Sequence, residues 1–124
     1  MRKWIPMILA VLLTFTLCSC GDVSEVNVVH VDSEIYSQSD INSAVRAVKN
    51  YFRFTGWGCK LTEIKYIGDE RSARFEALAK DHEAVDGIVL TSTYETGGTT
   101  RTRWEWDLVR GKNGRWRIVN YGYA

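Results

Sequence analysis

Few side chains in this sequence could support catalysis, and those few are far apart along the chain. The candidates for general acid–base chemistry are Glu63, His82 and Asp107. A catalytic base needs a pKa shifted by an apolar environment and a position within hydrogen-bond reach of its substrate. Asp107 alternates with Trp106, so we expect it to face away from the packed side of its strand. No cluster of carboxylates is visible, and we therefore predict no catalytic residue.

The thiols and imidazoles are also few. Cys59 is the only cysteine outside the N-terminal segment, so it lacks a partner for an intramolecular disulfide. A catalytic thiol would need a histidine nearby, and the chain has only His30 and His82. Because free cysteines are usually buried, we predict a structural role for Cys59. One cysteine and two distant histidines predict no metal site, and without a glycine-rich phosphate loop we predict no cofactor.

The N-terminal segment has the pattern of an export signal that ends at a cysteine. Two basic residues precede an uncharged apolar run over residues 4–17, which is short for a membrane span and typical of a secretory signal. Residues 17–20, Leu-Cys-Ser-Cys, closely resemble the bacterial lipobox, whose last cysteine carries lipid. We therefore predict that Cys20 is the lipid attachment site. Cleavage after Cys20 or Gly21, or an uncleaved anchor, are the alternatives left open.

These features divide the chain into three parts. We predict a lipoprotein signal peptide at residues 1–19, a lipidated N-terminus and tether at residues 20–36, and a single α+β domain at residues 37–124. With 16 basic and 15 acidic residues, the chain is nearly neutral, which argues against a nucleic-acid partner. The N-terminal lipid makes the membrane the first expected partner, since each buried methylene adds about 0.8 kcal/mol. The predicted location is extracytoplasmic, lipid-anchored to the bacterial cell membrane.

Hydrophobic periodicity predicts one long helix. Ser37 and Asp40 match a capping box, and apolar residues then recur at helical spacing on one side: Ile41, Ala44, Val45, Val48 and Phe52. Glycines at 56 and 58 are expected to end the helix. A second, short helix is predicted from Asp69.

Alternating residues predict several antiparallel strands after the first helix. The first covers residues 59–67, with a bulge near Thr62 or Glu63 that reconciles its imperfect alternation. Residues 88–94 and 102–108 form the next two, around a Gly97-Gly98 turn. An Asn-Gly turn then leads into a last strand from residue 115. The predicted fold is α+β, with a long amphipathic N-terminal helix packed on a curved antiparallel sheet of about four strands.

The aromatic residues are numerous for a chain of this size. Their simplest role is packing, because a domain without a disulfide needs large apolar side chains for its core. Their alternative role is a ligand pocket under the helix, with Tyr94 and Asn120 as polar groups beside Trp104 and Trp106. Two further aromatics should lie on the sheet face opposite Trp116, where they are candidates for a partner surface: Tyr121 and Tyr123.

Several segments resemble a known group of proteins. Residues 35–45, 58–66, 88–92, 104–110 and 114–123 together resemble small secreted lipoproteins of unknown function from gut Firmicutes. More remotely, the order of elements resembles the cystatin-like, cone-shaped superfamily typified by nuclear transport factor two. That superfamily contains isomerases, dehydratases and binding proteins, so the resemblance implies the fold and does not select a function.

The sequence favours a membrane-tethered, non-enzymatic domain that binds a protein partner or a small apolar ligand. The alternative is a small enzyme of the cone fold with isomerase- or dehydratase-type acid–base chemistry. A deep pocket with a buried, shifted carboxylate would favour the enzyme, and an exposed aromatic face would favour the partner surface. A homodimer formed through an edge strand is a further expectation.

Overall fold

The chain folds into a five-stranded mixed sheet with a helix packed on one face. A computed structural model describes residues 21–73, 80 and 82–123; the predicted signal peptide and Cys20 lie outside the described residues. The elements that it contains are, in chain order, β1 (Asn27–Val29), α1 (Gln38–Thr55), β2 (Cys59–Tyr66), β3 (Asp86–Thr96), β4 (Thr99–Arg110) and β5 (Trp116–Tyr123). Residues 69–73 are also helical, while most of the apolar side predicted for this second helix lies outside the described residues.

The strands are arranged in chain order, β1-β2-β3-β4-β5. β1 pairs in parallel with β2, and α1 connects them, as parallel neighbours require a crossover. The remaining pairs are antiparallel, and short turns join β3 to β4 and β4 to β5. The predicted fold class is therefore wrong: the sheet is mixed, has five strands and dominates the domain, and the helix follows a strand instead of opening the fold. Within the segment predicted as a tether, the sequence also allows a short strand at residues 26–31, and β1 lies inside these bounds.

The start of α1 has the capping box that the sequence predicts. The backbone N–H of Asp40 donates to Ser37 Oγ over 3.1 Å, and the Ser37 N–H donates to Asp40 Oδ2 over 3.2 Å. The Arg110 guanidinium donates to Asp40 Oδ1 over 2.6 Å and also pairs with Asp86. These contacts fix the N-terminal end of α1 to the ends of β3 and β4. At the other end, the Gly56 N–H donates to Phe52 O over 2.7 Å.

The main core lies between α1 and the sheet. The five apolar positions predicted for the helix are all buried against side chains from four strands. Trp116 is buried in this core and packs edge-on against Tyr36, whose hydroxyl donates to Gly87 O. A smaller apolar cluster, Val89 and Val109 with Ala84 and Val119, lies on the opposite face of the sheet.

Three β-bulges change which residues face the helix. The first lies between Leu61 and Glu63, where the sequence predicts one. The second, between Ser92 and Tyr94, includes Arg103 with a φ of 62°, a backbone region that non-glycine residues seldom adopt. The third makes Val119 an extra residue of β5, because Asp107 pairs with Asn120 while Leu108 pairs with Ile118.

The bulge at Val119 reverses the alternation in the rest of β5. Tyr121 pairs with Trp106, and Tyr123 pairs with Trp104, so both tyrosines lie on the same face as Trp116. The predicted opposite face for Tyr121 and Tyr123 is therefore wrong. A strict period of two cannot anticipate this, since one added residue exchanges the faces of everything that follows it.

Candidate functional site

The C-terminal half of α1 and the sheet form a cavity of about 230 Å³, which we call the aromatic cavity. It is lined by six aromatic residues and three small ones: Tyr51, Phe52, Tyr94, Trp104, Trp106 and Tyr121, with Thr55, Gly56 and Cys59. None of these side chains carries a charge at neutral pH, and apolar walls with a few polar groups are typical of small-molecule sites.

The cavity walls are held by contacts between the rings themselves. Trp104 packs edge-on against Tyr94 with ring centroids 6.0 Å apart, and Tyr51 packs edge-on against Trp106 at 5.8 Å. Tyr121 lies between the two indoles and Tyr51, with its ring 5.7–5.9 Å from each of theirs. Such tilted and edge-on pairs are favourable arrangements of the ring quadrupoles. The cavity is therefore a preformed feature of the fold.

The polar atoms of these rings are largely paired with one another. The Tyr94 and Tyr123 hydroxyls share a hydrogen bond of 3.0 Å, which with burial raises the pKa of Tyr94 to about 12. A hydrogen bond with Tyr121 likewise raises the pKa of Tyr51. The indole N–H of Trp106 donates to Ser92 Oγ over 2.8 Å. Because their pKa values are raised, Tyr51 and Tyr94 stay neutral at neutral pH and are not activated as bases.

The structure brings together only part of the pocket predicted from sequence. Tyr94, Trp104 and Trp106 line the aromatic cavity, but Asn120 lies on the other face of the sheet, where its amide donates to Asp107. Tyr121 forms part of the cavity wall, and Tyr123 contacts Trp104 at its edge. Both tyrosines keep exposed area, at 51% and 60%.

The contributions of α1 and of Cys59 were missed in the sequence. Tyr51 is outside the buried apolar positions of α1, on the side that the sequence pattern assigns to polar residues. Its place in the cavity wall depends on the distance between α1 and β5. Cys59 is half-buried and free; it packs against the edge of the main core and also lines the cavity. Its thiol lies 3.6 Å from Trp57 O. The one signal for the cavity in this part of the sequence was Gly56, because a residue without a side chain at a helix end lets neighbouring groups come close to the backbone.

Asp107 is the most perturbed carboxyl group among the described residues. It is 7% exposed, its Oδ1 has no hydrogen-bond partner among the residues described, and Asn120 donates to its Oδ2 over 3.3 Å. Burial, with a smaller effect of nearby Glu105, raises the pKa of Asp107 to about 6. Glu105 also forms a 2.6 Å ion pair with Arg71. As predicted, Asp107 faces away from the helix, yet it is buried there.

The three acid–base candidates do not form a site. Glu63 lies in β2, His82 is an exposed turn residue whose carbonyl accepts a hydrogen bond from Arg117, and Asp107 lies in β4. The shifted carboxyl group and the aromatic cavity are on opposite faces of the sheet. Among the described residues, no carboxylate lines the aromatic cavity.

Metal and membrane features can be stated for the described part of the chain. Within residues 21–73, 80 and 82–123, no three His, Cys, Asp or Glu side chains are grouped as metal ligands would be. None of the helices in this part combines the length and apolarity needed to cross a membrane. No protein-family model matches the chain, and no match was found among curated proteins or among solved structures.

Proposed function

We propose that this protein is a lipid-anchored, extracytoplasmic binding protein that holds a small apolar ligand in the aromatic cavity. The observation that carries the proposal is the cavity itself, with six aromatic walls and no charged lining residue. The absence of a carboxylate from that lining favours binding over acid–base catalysis.

The size of the cavity limits the ligand. At about 230 Å³ it exceeds the engineered apolar cavity of about 150 Å³ that binds benzene. One or two fused rings or a short acyl chain would fit. Burial of such a molecule would be favourable at about 25 cal/mol per Å² of apolar surface.

The proposed anchor is the lipid on Cys20. It is supported by the charged start, the apolar run and the Leu-Cys-Ser-Cys tetrad at residues 17–20. The mass of the N-terminal peptide tests it, since lipidation adds acylglycerol to Cys20. A mature chain with an unmodified N-terminus at Gly21 or Asp22 would contradict the anchor.

Ligand binding can be tested by blocking the cavity. Naphthalene should shift the indole N–H resonances of Trp104 and Trp106 in NMR spectra of the chain that starts at Gly21. Cys59→Phe places a ring in the cavity, so we expect affinity to fall at least tenfold. Val85→Phe is the matched control, because Val85 is 62% exposed beside Arg110, at the end of the sheet away from the cavity. Equal binding by both variants would contradict the proposal.

A further inference from the structure

The described chain begins at the C-terminal end of α1. The Gly21 N–H donates to Arg53 O over 2.9 Å, and Gly21 is buried against Phe52. The Asp22 N–H donates to Cys59 O, and Asp22 O accepts from the Leu61 N–H, both over 2.9 Å. The segment predicted as a tether is thus hydrogen-bonded to the fold from residue 21 onward.

The same end of the molecule exposes two large aromatic side chains. Phe54, in the last turn of α1, is 72% exposed, and Trp57, in the loop that follows, is 70% exposed. The indole N–H of Trp57 donates to Phe54 O over 3.1 Å. Because the one polar atom of this pair is already satisfied, both rings can enter an apolar environment without losing a hydrogen bond to water.

We propose that Phe54 and Trp57 insert into the surface of the bilayer to which Cys20 is anchored. This inference rests on the proposed anchor. Consecutive Cα atoms are about 3.8 Å apart, so the lipid-bearing residue can be no further than that from Gly21, which contacts the last turn of α1. Two exposed aromatics at this position meet the membrane–water interface, where tryptophan is enriched.

The short connection makes even a weak aromatic contact effective. A lipid on Cys20 keeps the two rings at the bilayer surface, so their insertion is in effect an intramolecular step. A protein partner for the same rings would have to fit between the domain and the membrane. The position of Gly21 therefore favours the bilayer as the occupant of this surface.

The proposed orientation also identifies the source of the ligand. Thr55, Gly56 and Cys59 line the aromatic cavity and are interleaved in sequence with Phe54 and Trp57. The cavity thus lies at the same end of α1 as the inserting residues. A small apolar molecule dissolved in the membrane would therefore meet the cavity close to the bilayer surface. The ligand class is accordingly an apolar compound that partitions into lipid.

The experiment uses the lipidated full-length product in vesicles of phosphatidylethanolamine and phosphatidylglycerol. Lipids brominated near the headgroup should quench part of the tryptophan fluorescence, and Trp57→Phe should remove that part.

The thiol of Cys59 should react slowly with a membrane-impermeant maleimide. Replacing Phe54 and Trp57 together by serine should raise that rate at least threefold. Val85→Ser is the control, since Val85 is 62% exposed at the opposite end of the sheet.

The outcomes separate this inference from the proposed function. The N-terminal mass reports the anchor, and the naphthalene titration reports the cavity. If both succeed while quenching is absent and the maleimide rate is unchanged by the double substitution, the inference is overturned and the proposed function stands. Quenching that Trp57→Phe leaves unchanged would overturn it as well, because another tryptophan would then be the one in contact with lipid. Quenching through Trp57 together with faster labelling of the double variant supports it.

Discussion

At the scale of single residues, the clearest energetic feature is the buried carboxyl group of Asp107. Its neighbours are Asn120, which donates one hydrogen bond, and Glu105, whose negative charge opposes ionisation. Burial disfavours the charged form. The ionised form of Asp107 therefore lowers the stability of the fold. Asp107 lies on the face of the sheet opposite the aromatic cavity.

We predict that Asp107→Asn removes a pH dependence of stability. The pKa in the fold, about 6, lies above the ordinary value of 3.8, so the folded state binds the proton more tightly. The stabilisation is complete below pH 4 and is lost as the pH rises through about 6. At pH 7.5 the variant should be more stable by about 1–3 kcal/mol, as measured by urea unfolding.

Asp69 supplies a control of opposite sign. It accepts hydrogen bonds from Ser33, Tyr66 and the Glu34 N–H, which lower its pKa. Asp69→Asn should therefore destabilise the protein at pH 7.5, and this loss should shrink as the pH falls below 4. If the wild-type protein were equally stable at pH 4.5 and pH 7.5, the pH dependence assigned to Asp107 would be contradicted.

At the scale of elements, α1 positions the cavity because both of its ends are fixed. The capping box and Arg110 hold the first turn, and the Gly56 N–H closes the last. Tyr51 and Phe52 can then face the sheet at a set distance. The start of this helix is thus important for a cavity near its other end.

Removal of the N-cap should weaken the whole domain. We predict that Ser37→Ala lowers the free energy of unfolding by about 1 kcal/mol, since the Asp40 N–H loses its acceptor. Ser39→Ala is the control, because Ser39 is exposed in the first turn and is not the capping residue. Both can be measured by denaturant unfolding. Equal effects of the two substitutions would contradict the role of the cap.

Sequence patterns predicted the elements of this fold better than their arrangement. The cap, the buried side of α1 and the first bulge have local signals, because each depends on residues a few positions apart. The parallel pairing of β1 and the bulge at Val119 depend on contacts between distant segments. The cavity shows the same division: Trp104 and Trp106 were found from their strand, whereas Tyr51 required knowledge of the packed helix.

At the scale of the whole molecule, stability must come from the core between α1 and the sheet. Among the described residues Cys59 is the only cysteine, and its thiol is free. No disulfide therefore links the described part of the chain. A domain of this size without such a link has a modest margin of stability. The aromatic residues therefore serve both the core and the cavity.

We predict that the chain starting at Gly21 unfolds at the same temperature with and without a metal chelator or a reducing agent. The apolar core around α1 should be sufficient for folding. Circular dichroism melts at two protein concentrations check this and also report any homodimer. A lower melting temperature with either reagent would reveal a metal or a disulfide between chains.

The buried position of Gly21 has a consequence for the order of events during maturation. A Cβ at this position would lie 2.4 Å from Phe52 O, so the folded domain accepts only glycine there. If a peptidase cleaves before Cys20, it must hold the neighbouring residues in an extended form. Gly21 and Asp22 cannot be held so while they are hydrogen-bonded to Arg53 and Cys59. If the precursor is cleaved as proposed, cleavage would therefore come before Gly21 packs against the end of α1.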